Sequence, residues 1–122
     1  LKGSASLRVD LNGLDKAFVM QWLKGIMPNT TYRLDGYVRT KDVEGNVFLT
    51  VMAENSTRMN KAWMSTEKVT GTSDWRKLSL QIKTAEDTDT LAVRFEYRPA
   101  KEGVAASAGT AWVDNITLTK IE

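Results

Sequence analysis

Apolar and polar residues alternate with period two along most of this 122-residue chain. In SASLRVDL, Leu7, Val9 and Leu11 alternate with Ser6, Arg8 and Asp10, and Asn12-Gly13 then marks a turn. KAFVMQWL reads as a second strand and ends before the Pro28-Asn29 turn. In TYRLDGYVRT, Tyr32, Leu34, Gly36 and Val38 face one way, while Arg33, Asp35, Tyr37 and Arg39 face the other. After a Glu44-Gly45-Asn46 turn, Val47, Leu49 and Val51 alternate with Phe48, Thr50 and Met52. WRKLSLQIKT and LAVRFEYR repeat the pattern, the second burying Leu91, Val93, Phe95 and Tyr97 and exposing Arg94, Glu96 and Arg98. The weakly periodic stretch from Asn55 to Asp74 reads as a loop plus a short strand around 61–68. Turns fall roughly every 8 to 12 residues, and no segment carries a helical apolar stripe. The pattern predicts an all-β, two-sheet antiparallel β-sandwich of about eight strands.

Residues 1–122 are the size of one domain, and a start at Leu1 rather than methionine leads us to expect a domain excised from a larger protein. The chain has no cysteine and no histidine. That composition excludes disulfides, thiol and Ser-His-Asp catalysis and the usual zinc sites. A net charge of +2, with basic and acidic residues interspersed, argues against nucleic acid or a membrane as partner. Three Asn-x-Ser/Thr matches, at Asn29, Asn55 and Asn115, are read as chance.

Four stretches, in order, carry a family resemblance. SASLRVD, TYRLDGYVRT, SDWRKLSLQIKT and GTAWVDNITLTK resemble successive strands of the jelly-roll carbohydrate-binding modules grouped around families 4, 9, 16 and 22, also called galactose-binding-domain-like. The resemblance implies a jelly roll whose partners are a polysaccharide or oligosaccharide and the other domains of the parent chain. It also implies a bacterial protein at an extracellular or cell-surface location. In such modules the aspartate of the last strand often supports a structural calcium, which makes Asp114 the metal candidate. The alternative at Asp114 is a carboxylate that accepts hydrogen bonds from backbone amides, since no partner cluster is visible for an ion that takes six to eight oxygens.

Sugars are bound by flat apolar faces and by planar polar groups that reach their hydroxyls. The candidates are Tyr37, Arg39, Trp63, Trp22, Arg94 and Glu96. Trp22 shares a strand face with Phe18 and Met20, and this stripe serves either as core packing or as an exposed binding patch. Trp75 and Trp112 are read as core or sandwich-edge aromatics. The first functional reading is a non-catalytic module that targets an appended polysaccharide-degrading enzyme. The second is a structural sandwich packed between domains by the Phe18–Trp22 stripe. An enzyme would need a carboxylate pair, and Glu54 with Glu96 is the pair considered for that role.

Overall fold

The computed structural model describes residues 7–14, 17–55, 58–105 and 108–121, with the side chains at 17, 18 and 58–62 outside that description. Regular structure in the described residues is all strand: β1 (Leu7–Asp10), β2 (Ala17–Lys24), β3 (Thr31–Asn55), β4 (Arg58–Ser65), β5 (Val69–Lys83), β6 (Thr90–Arg98) and β7 (Thr110–Lys120). Every pairing is antiparallel, as expected for strands with one buried and one open face.

The long strand β3 belongs to two layers. Its first part pairs with β5 on one side and β7 on the other, and β1 adds to β7. Its second part pairs with β4 and β6, and β2 adds to β6. The first layer is therefore β5-β3-β7-β1 and the second β4-β3-β6-β2. The turn expected at Glu44-Gly45-Asn46 is instead a bend inside a continuous 25-residue strand. Register shifts between Val38 and Val47, with positive φ at Asp42 (54°) and Gly45 (101°), bend the strand without ending it. That fusion is why seven strands stand where about eight were expected. The weakly periodic stretch holds β4 at Arg58–Ser65, slightly earlier than the alternation placed it.

Between the layers lies the core that the alternation foretold. Leu34, Val38, Leu78 and Val113 of the first layer meet Leu49, Val51, Leu91 and Val93 of the second, all buried. Each leucine so buried contributes about 1.5–3 kcal/mol relative to exposure. The layers approach closely at Gly36, where an added Cβ would lie 2.8 Å from Leu49 Cδ1 and 3.3 Å from Ile116 Cγ1. Outward positions on β5, such as Ser79, Gln81 and Lys83, are exposed in alternation with the buried Leu78, Leu80 and Ile82.

Two groups hold the bend. The Tyr97 phenol, 3% exposed, donates to the Glu44 carbonyl at 2.6 Å. Gly45 packs so tightly under the end of β6 that an added Cβ would collide with the Arg98 carbonyl oxygen and lie 2.9 Å from Ala100 N. Burial, with the Glu44 carboxylate adding to it, raises the Tyr97 pKa above its ordinary 10.0. A phenol that keeps its proton longer when folded contributes stability in full below pH about 10, and that contribution is lost as pH rises towards the folded pKa.

Gly45→Ala is expected to cost about 3 kcal/mol, from the positive φ and the collision together, read as a fall in urea midpoint at unchanged slope. Tyr97→Phe is expected to cost about 1 kcal/mol at neutral pH. It should also flatten the loss of stability above pH about 10, checked by urea melts across that range.

Candidate functional site

The outward positions of the second layer are set by register. Met52 pairs with Trp63 on one side and Ala92 on the other, and Ala92 pairs with Trp22. One cross-strand row thus reads Trp63, Met52, Ala92, Trp22, with a tryptophan on each edge strand. Three gaps of about 4.8 Å put the two tryptophan backbones about 14 Å apart. Both indoles are open, Trp63 at 60% and Trp22 at 55% exposure. Between them Ala92 is fully buried and has the shortest side chain of the row, so the middle of the row is low.

The adjoining row reads Ser65, Thr50, Arg94, Met20. The Thr50 and Ser65 hydroxyls are hydrogen-bonded to each other at 3.0 Å. Arg94 is mostly buried along its side chain and donates from Nε to Met20 Sδ at 3.5 Å. In the next row Phe48 stands opposite Glu96, with Lys68 Nζ 5.5 Å from the Phe48 ring centroid.

Glu96 corrects the sequence reading. Alternation placed it on a solvated face with Arg94 and Arg98, and it does point outward, yet its side chain is only 4% exposed. Its Oε1 receives Arg98 at 3.0 Å and Arg94 at 3.6 Å. A carboxylate withdrawn from water persists only with such partners. The signal was present in the Arg-x-Glu-x-Arg spacing, which sets all three groups on one face of one strand.

Trp22, Trp63, Arg94 and Glu96 therefore share one face, and Tyr37 and Arg39 do not. These two lie on the outer face of the first layer, because β3 changes layer after them. Tyr37 pairs in register with Lys77 and Asp114. The Arg39 guanidinium lies 5.0 Å from the Trp112 ring centroid, and Arg8 covers the same ring at 5.9 Å. Trp112, expected in the core or at the sandwich edge, is instead an outward, half-buried indole between two cations, and Trp75 is 40% exposed. On the same face Asp35 is 7% exposed. Burial pushes its carboxyl up, but hydrogen bonds from Ser79 and Arg33 outweigh that and hold it below the usual 3.8. Of the Phe18–Met20–Trp22 stripe, Trp22 is open and Met20 half-buried, while the Phe18 side chain lies outside the described residues.

Asp114 sits where β7 bulges. Register slips between Asp35 and Tyr37, Asn115 takes φ 54°, and Asp114 Oδ1 accepts from the Asn115 backbone N–H at 2.7 Å. The described residues contain no group of three or more Asp, Glu, His or Cys placed to hold a metal. One carboxylate does not make a calcium site, so the described residues do not fit the ion at Asp114. Nor does the face bring Glu54 and Glu96 together. Glu54 pairs with Thr90, and from position 90 to 96 at about 3.3 Å per residue is about 20 Å, beyond the roughly 5–10 Å of paired glycosidase carboxylates.

A hollow of about 190 Å³ opens elsewhere, edge-on between the layers, where Val19 and Gln21 of β2 face Leu7, Asp114 and Ile116. Its mainly apolar walls are the open side of the sandwich, and neither tryptophan of the row lines it.

A family model described as carbohydrate binding domain, CBM_4_9, matches residues 3–102. No curated protein matches the chain. Among solved structures, the enzymatically active domain of bacteriophage CBA120 tailspike protein 4 is similar at TM-score 0.67 and 9% identity, over 98% of this chain. The chain spans only 18% of that protein. A family 16 carbohydrate binding module-2 is similar at TM-score 0.59 and 24% identity, over 93% of this chain and 74% of that one. The CBM22-1-GH10 modules of Clostridium thermocellum endo-1,4-beta-D-xylanase 10B, complexed with xylohexaose, are similar at TM-score 0.54 and 12% identity, over 83% of this chain and 19% of that one. These likenesses carry the β-sandwich jelly-roll fold.

Removing the carboxylate that Arg94 and Arg98 share, as in Glu96→Ala, breaks a largely buried ion-pair cluster and is expected to cost about 3 kcal/mol in urea unfolding. Glu86→Ala, in the exposed turn after β5, should change stability by less than about 0.5 kcal/mol.

Proposed function

This chain belongs to the carbohydrate binding domain family, and on that premise we propose that the outer face of its second layer binds an extended oligosaccharide or polysaccharide lying across the strands. The observation that carries this reading is the cross-strand row with an open tryptophan at each end. Indole faces stack on the C–H faces of pyranose rings, and the low middle of the row leaves room for rings between them. Hydroxyls of the bound sugars meet Ser65, whose hydroxyl is held by the buried Thr50, and the guanidiniums of Arg94 and Arg98. The row ends on edge strands at both sides, so a polymer can run beyond it in either direction.

The chemistry here is recognition. The module holds a glycan beside a catalytic domain of the same parent chain and so raises the effective concentration of substrate, in an extracellular or cell-surface setting. Neither nucleic acid nor membrane has a part in this reading. Calcium enters only as a condition of the test.

A glycan array, run with and without calcium and followed by titration of the best oligosaccharide, tests the proposal. Trp22→Ala and Trp63→Ala should each lower affinity by roughly 30-fold, about 2 kcal/mol, as truncation of a central tryptophan anchor does. Tyr37→Ala, on the opposite layer, should leave it within about twofold. If no glycan binds in either condition, the spacer reading takes its place, with Trp22 and Met20 as the domain contact.

A further inference from the structure

The edges of the two layers are not protected alike, and the difference points beyond glycan binding. We propose that the chain pairs with a second copy of itself through β2, antiparallel, about a two-fold axis at Gln21.

A strand at the edge of a sheet presents unpaired N–H and C=O groups, and natural sheets blunt such edges by shortness, charge, proline or a bulge. Four strands end the layers here: β5 and β1 in the first, β4 and β2 in the second. β1 has only four residues, and Arg8 and Asp10 are charged. β5 carries Asp74, Arg76, Lys77 and Lys83, and its register with β3 shifts along the bend. β4 has Arg58 and Lys61 in its sequence and a register shift where it pairs with β3. β2 has none of these devices. It runs without a shift from Ala17 opposite Tyr97 to Lys24 opposite Thr90, and no charge or proline stands between Ala17 and Leu23. No described residue pairs with its other side. Val19 and Trp22 are nonetheless open to water, one on each face of the strand.

Self-complementarity selects the partner. A two-fold axis perpendicular to the sheet keeps outer face with outer face and inner with inner. With that axis at Gln21, Met20 of each copy stands opposite Trp22 of the other on the outer face, a favourable sulfur–aromatic pairing. On the inner face Val19 stands opposite Leu23, which sets an apolar side chain at the mouth of the hollow that Val19 lines. Gln21 meets Gln21, and each amide both donates and accepts. An axis at Met20 would instead set Gln21 against Val19, a polar group against an apolar one. The one charge of the strand, Lys24, falls opposite position 18, so the register brings no like charges together. Area sets the strength. Pairing from Phe18 to Lys24 falls well short of the roughly 20–30 residues a side of a standard interface. The dimer is therefore weak and reversible, with a dissociation constant above about 1 µM. Its consequence lies on the outer face. Diagonal neighbours across a ladder are about 7–8 Å apart, so the two Trp22 side chains meet and the two tryptophan rows join.

Sedimentation velocity of the chain from about 5 to about 500 µM, a range chosen for so weak a pairing, should show the mass rise from one chain towards two. Gln21→Lys places two like charges on the axis at an exposed position. It should remain a single chain at the highest concentration, with its urea midpoint unchanged. Cross-linking reads the register. The chain has no cysteine, so a single introduced cysteine reports pairing alone. Gln21→Cys brings two sulfurs to directly opposite positions, within the Cα separation of about 4.4–6.8 Å that a disulfide spans, and should cross-link under diamide. Val19→Cys leaves its two sulfurs about 13 Å apart along the strands and should cross-link at least about tenfold more slowly. A mass that stays at one chain throughout overturns the proposal. So does association that Gln21→Lys leaves intact, or cross-linking no faster at position 21 than at position 19. Glycan binding stands or falls separately, because the tryptophan row is complete within one copy.

Discussion

Everything in this domain depends on β3 remaining hydrogen-bonded while it bends. A strand that stopped at Glu44 would leave two separate sheets, each free to slide against the other. Because the ladder continues through the bend, the register of one layer fixes the register of the other. The bend is made of residues that tolerate it: Asp42 and Gly45 with positive φ, and a glycine where the end of β6 presses closest. Tyr97 then ties β6, in the second layer, to the carbonyl at the bend itself. The rows that hold the tryptophans are set by that register, so the site inherits its geometry from a bend some way off.

The second determinant is electrostatic. Glu96 lies on the outer face and is nonetheless withdrawn from water, which a carboxylate does only in cationic company. Its two arginines hold it, and it holds them against the sheet rather than free in solution. A flat strand surface becomes a floor with fixed donors, which costs a ligand less to engage than mobile side chains would. The opposite face uses the same residue types differently. There arginines stack on Trp112 or pair with an aspartate two positions along the same strand.

Much of this was legible in the sequence. Period-two alternation sorted the side chains of β3 onto its two faces and named the core-facing residues of β5 and β6, because a strand side chain has only two directions to point. Four strand motifs in order pointed to the family that the matched model also names. What alternation cannot encode is which strands are neighbours. Tyr37 and Trp63 both read as outward, and only the pairing of β3 with β7 on one side of the bend and with β4 on the other puts them on opposite surfaces. The same gap concealed Met52 and Ala92, ordinary residues that matter because they lie between two tryptophans. Burial of Glu96 was missed for a related reason. Spacing showed its arginines, but not how far they and the neighbouring strand would cover it. Asp114, which looked out of place in an apolar strand, supports a bulge, a local event that composition does not announce.

The strand order has a temporal side. β7, the last strand in sequence, lies between β1 and β3, the first and third. During synthesis at the ribosome, one edge of β3 and the whole of β1 must wait for residues 110–120 before they find their partner. For that interval the nascent chain carries open strand edges, the kind of surface that recruits other chains. β1 cannot dock early, and closure of the first layer is deferred until β7 has been made, a slow, non-local step of the kind that limits β-sandwich folding.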